Sequence, residues 1–154
     1  QEEISNYLSE CTKHELSAAS SKDASDIIRI VNEFESIGDS TFNLFLIGEK
    51  LDKNTLIPEM KNQILDLFYK VDEFINWNHS FIIKDIKQMS ASDIEKSIAY
   101  ENEIDDMRNK LIDLSSTRLS QDSNSKSELI FIDIIKNLEH IGDFSLNISQ
   151  ALEI

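Results

Sequence analysis

Three glycines and one proline in 154 residues leave too few turn-formers to punctuate a set of β-strands. The abundance of Leu, Ile, Lys, Glu, Asp and Ser points instead to long helices. A single cysteine, Cys11, excludes an internal disulfide, so nothing in the chain needs an oxidising compartment. Long apolar runs are missing as well. A stretch such as Leu44–Ile47 falls far short of the roughly twenty residues that span a bilayer, so this piece is not expected to insert into a membrane. Basic residues are scarce: 15 Lys and Arg stand against 29 Asp and Glu, for a formal charge of −14. That balance excludes unaided binding to nucleic acid or an anionic lipid surface and favours cationic partners or metal ions. No Gly-rich phosphate loop, dinucleotide fingerprint or nucleophile elbow occurs, and three scattered glycines could not build one. The opening at Gln1, without an initiator Met, basic n-region or apolar h-region, is that expected of a fragment of a longer protein.

What is present is apolar periodicity. Residues at three- and four-residue spacing mark five helices, the clearest carrying Met60, Ile64, Leu67, Val71, Phe74 and Phe81, with Asn78 interrupting. That helix is expected from about Ile57 to Gln88, with Pro58 in its first turn. Ser92-Asp93-Ile94-Glu95 has the pattern of a reciprocal cap for the next helix, which runs to about Leu119. A serine-rich stretch, Ser120 to Ser127, precedes the last helix, marked by Ile134, Leu138, Ile141, Ile148 and Leu152. The first half reads as a short helix near Glu2 to Leu16, a turn at Ser20–Asp23 and a helix from about Ala24 to Glu49, with Gly48 to Ile57 as a linker. The fold class is all-α, an up-and-down helical bundle.

The halves repeat. Overlaying Glu35-Ser36-Ile37-Gly38-Asp39-Ser40-Thr41-Phe42-Asn43 on Glu139-His140-Ile141-Gly142-Asp143-Phe144-Ser145-Leu146-Asn147 makes Glu, Ile, Gly, Asp and Asn coincide. Upstream, Ile27, Ile28, Ile30 and Val31 fall on Phe131, Ile132, Ile134 and Ile135, and Phe34 falls on Leu138. Glu3-Ile4 matches Glu103-Ile104 after a loop-length difference. Such self-similarity marks two copies of one structural unit, although the first copy has no counterpart of the helix at 57–88.

In each copy Glu, Asp and Asn recur every fourth residue and form a polar ridge on a helix. A mid-helix glycine costs about 1 kcal/mol relative to Ala, so Gly38 and Gly142 imply close packing there. Glu101 and Asp105 add a second acidic pair four apart, on a stripe with Ile94, Ile98 and Ile112 that places them toward the packed side. Glu139 likewise sits among Ile132, Ile135, Gly142 and Leu146. Buried carboxylates need cations or donors. The pairs Glu101/Asp105 and Glu139/Asp143, facing each other from adjacent helices, would offer hard oxygen ligands to a metal. Solvated carboxylates paired with Lys or Arg are the alternative from spacing alone. Glu35 and Asp39 are weaker candidates, because Gln1 and Ser5 stand where the first copy would need its acidic partners. His14, His79 and His140 have no mutual spacing of a ligand set. Cys11 has no activating neighbours beyond Lys13 and His14. Phe68, Phe74, Trp77 and Phe81 are expected to be mostly core.

The segments Phe34-Glu35-Ser36-Ile37-Gly38-Asp39 and Leu138-Glu139-His140-Ile141-Gly142-Asp143 resemble the L-E-R-I-G-D motifs of the PhoU family of phosphate-uptake regulators. The resemblance spans essentially the whole chain and is weak in the helix at 57–88. It implies three-helix units, with 51–154 one complete unit and 1–50 the last two helices of an incomplete one. Some members bind multinuclear iron or zinc through E/D-x-x-x-D motifs, which here correspond to Glu101, Asp105, Glu139 and Asp143; Fe, Zn or Mn is the implied metal. The motif arginine is replaced by Ser36 in one copy and His140 in the other. What the resemblance implies is a non-enzymatic regulator, most similar to the cytoplasmic tail of bacterial sodium-dependent phosphate cotransporters. Such a tail would sit at the cytoplasmic face of the inner membrane and contact the transporter's membrane domain or a regulatory protein. A free-standing negative regulator of phosphate signalling, a metal-carboxylate enzyme or metal store, and a bundle that forms a homodimer are the alternatives.

Overall fold

In a computed structural model the described residues are 3, 4, 6, 7, 10, 18–83, 88–121 and 124–153. They form four long helices: α1 (Ala18–Glu49), α2 (Pro58–Ile82), α3 (Ala91–Ser120) and α4 (Ser125–Ala151). The expected all-α, up-and-down bundle is what these elements build. No helix among the described residues is long and apolar enough to cross a membrane.

The helix boundaries follow local chemistry. Pro58 opens α2 after the extended Ile57, where its missing N–H leaves no bond unmade. α3 is capped at Ser90 rather than Ser92: Ser90 Oγ accepts from the Asp93 amide at 3.3 Å, and the Ser90 amide donates to Asp93 Oδ2 at 2.9 Å. Asp93 thus plays the part expected of Glu95, since a shorter acid reaches back as well. The buried Met89 also ties this start to the end of α4, its amide donating to the Leu152 carbonyl at 2.6 Å. Asn124 caps α4 by accepting from the amides of Lys126 and Ser127. The turn expected at Ser20–Asp23 is helical instead. No glycine or proline breaks the chain there, and the cost of Ser and Asp in a helix is only tenths of a kcal/mol. The short helix expected near Glu2–Leu16, with Cys11 and His14, lies mostly outside the described residues, as do residues 84–87.

The helices α2, α3 and α4 enclose the main core, in which Leu67, Phe74, Phe131 and Ile135 are fully buried. Among the four described helices, α1 lies by backbone proximity along α4 alone, whereas α4 touches all three others. The α1–α4 pair is antiparallel: Arg29 donates to Gln150 at 3.0 Å, and Asn147 donates to Glu33 at 3.2 Å. Continued along both helices, that antiparallel register runs the two Ile-Gly-Asp segments past one another. Asn78, which breaks the apolar stripe of α2, is 4% exposed. It donates to the Ser145 carbonyl and accepts from Ser149 Oγ, which fixes the register of α2 on α4.

Candidate metal centre

The buried line of α3 runs Ile94, Ser97, Ile104, Leu111, Ser115, not through Ile98, which is 41% exposed. Filling that line at three-four spacing are Glu101 and Arg108, each half-buried, with Asp105 beside them. Opposite, α4 presents Glu139 and Asp143 one turn apart. Gly142 lets the helices approach: a Cβ there would stand 3.1 Å from Ile104 Cδ1 and 3.2 Å from Cγ2. What fills the space is thus a side chain and not a crossing backbone. A Cβ at Gly38 would meet nothing within 4 Å among the described residues, so the close packing expected there is not found among them.

Carboxylate oxygens of Glu101, Asp105 and Asp143 lie within 4.8 Å of one another. Glu139 stands outside this trio, and Arg108 links it to Asp105: Nη2 donates to Glu139 Oε1 at 2.7 Å and to Asp105 Oδ1 at 3.0 Å. His140 is exposed, yet its Nε2 comes within 3.7 Å of Glu139 Oε2. Burial pushes the Glu101, Glu139 and Asp143 carboxyls above their ordinary range. Neighbouring negative charges push the same way, chiefly Asp105 on Glu101, Asp143 on Glu139, and Asp105 on Asp143. One arginine therefore does not balance four acids. The donor set is all oxygen and clustered, which fits one hard or borderline divalent cation.

In the first copy Glu35 and Asp39 are exposed and join no such group among the described residues. His79 lies on the rim of a cavity of about 200 Å³ between α1, α2 and α4, away from the acids. Of the four aromatic residues, Phe74 is core and Phe68 is 46% exposed. Trp77 donates to Ser97 Oγ at 3.1 Å beneath the Lys96 ammonium, and Phe81 packs edge-on against it.

Two charged residues escape a reading of acidic pairs. Arg108 is one, and its signal is its place on the buried three-four line of α3. Glu128 is the other: fully buried in the first turn of α4, it accepts from Ser115 Oγ at 2.6 Å and from Arg118 Nε at 2.8 Å and Nη2 at 3.0 Å. Arg118 also stacks over Phe131, so this second carboxylate is satisfied by the protein itself.

The fold and this centre define a class: all-helical bundles with carboxylates projecting from facing helices. Within it, the family model for the PhoU domain matches residues 78–152, from the end of α2 through α3 and α4. That match supports a PhoU-like assignment. No curated protein and no solved structure matches the chain.

Proposed function

We propose that the chain is a regulatory PhoU-like module of a sodium-dependent phosphate transporter, held at the cytoplasmic face of a bacterial inner membrane and acting through protein–protein contacts. The carrying observation is the PhoU-domain match over the very helices that bear the acidic centre. In this reading residues 51–154 are a complete three-helix unit and 1–50 part of a second. A further support is the exposed pair Phe42 and Phe45 on α1, each 59% exposed, a surface suited to docking against the membrane domain or a regulatory protein. The trio of carboxylates holds a metal ion, Fe, Zn or Mn, which ties α3 to α4 by neutralising their facing charges.

Deletion of this region from the intact transporter is the test. Uptake is expected to persist while its response to phosphate supply is lost. An unchanged response would overturn the reading and favour a free-standing regulator of phosphate signalling.

A further inference from the structure

We propose that Arg108 is the built-in counter-cation of the acidic centre: its guanidinium holds the place a second metal ion would need, so the centre takes one divalent ion and not a pair. This rests on the metal reading above. A two-ion centre needs carboxylates that bridge ions about 3.5–4 Å apart. Two of the four acids, Asp105 on α3 and Glu139 on α4, both accept from the same Arg108 nitrogen. That leaves the compact trio of Glu101, Asp105 and Asp143, with Asp105 shared between Arg108 and the ion, enough for a single ion.

Arg108 is also held in place. Its side chain is 27% exposed, on the line between Ile104 and Leu111, and its Nε is buried without a hydrogen-bond partner. Swinging out would strand Glu139, whose side chain is only 12% exposed. An arginine that stapled two helices and nothing more would have the same contacts but no effect on how many ions bind.

The experiment uses Mn²⁺ as the probe, on the whole chain purified with chelator and then dialysed free of it. Bound Mn²⁺ is counted by elemental analysis, and its spin state is read by electron paramagnetic resonance. The native protein is expected to hold one isolated ion per chain. Arg108→Gln is expected to hold two with an exchange-coupled signal. A double variant, Arg108→Met with Glu139→Gln, removes the arginine together with the acid it covers, which protects the fold if the single variant is unstable. It is expected to bind one ion about tenfold tighter than the native chain, because Asp105 no longer shares its oxygen with a charged donor. One ion of unchanged affinity in all three proteins would overturn the role of Arg108 and leave the metal reading standing. Two ions in the native chain would overturn it as well. No ion in any of them would sink both.

Discussion

The two motif glycines have the same sequence surroundings and opposite structural ones. Among the described residues nothing lies within 4 Å of a Cβ at Gly38, so Gly38→Ala should gain about 0.5–1 kcal/mol of stability from helix propensity alone. At Gly142 a Cβ meets the Ile104 side chain, which is 1% exposed and has little room to give. Overpacking of a tight core costs about 1–3 kcal/mol, which offsets and exceeds the same propensity gain, so Gly142→Ala should lower stability by about 1 kcal/mol. Urea unfolding of the two variants against the parent chain reads both signs at once. Equal shifts would mean that the two copies of the motif are packed alike. The acids of the centre were legible in the sequence because four-residue spacing fixes a helix face. Arg108 was not, because a cation beside acidic neighbours looks like any surface pair until the buried line of α3 is known.

At the scale of the element, helix existence was written in the periodicity, and so were ends such as Glu49 and Pro58, but not the starts of α1 and α3. The cap of α3 shows why. Ser90-Ala91-Ser92-Asp93 and Ser92-Asp93-Ile94-Glu95 both offer a hydroxyl with an acid three residues on, and the choice is made by Met89, which the end of α4 pins in the core. Ser90→Ala should therefore cost about 1 kcal/mol, whereas the exposed Ser92→Ala should stay within about 0.5 kcal/mol. Thermal unfolding of the two single variants distinguishes these caps. The same logic explains Asn78. A polar residue in an apolar stripe reads as an interruption, yet here it is the α2 side of a hydrogen-bonded seam with Ser145 and Ser149 whose partners lie far along the chain.

For the whole molecule the acid excess is spread along the chain, and at the α3–α4 crossing part of it is half-buried and close together. Glu101, Glu139 and Asp143 hold their protons more tightly in the fold than in the unfolded chain, where their ordinary values are 4.5, 4.5 and 3.8. A raised carboxyl contributes stability that is complete below the unfolded value and is lost as pH rises through the folded one. The metal-free protein should therefore lose stability as pH climbs from about 4 toward neutrality. Asp93, lowered by its hydrogen bonds from Ser90, acts in the opposite sense, and its stabilisation is lost as pH falls below the ordinary carboxylate range. Melting temperatures across a pH series should show this slope, flattened in Asp143→Asn. A slope that persists unchanged in that variant would place its origin elsewhere in the chain.

The position of α1 along α4 alone sets how the molecule comes apart. Among the described helices, α2, α3 and α4 share one enclosed core and are expected to be lost together, whereas α1, packed along α4, is expected to detach first. Opening is therefore graded, with two cooperative units of unequal strength. The amide hydrogens of α1 are expected to exchange with solvent through a cheaper excursion than those of α4, whose release requires the whole bundle to unfold, and native-state hydrogen exchange would show it.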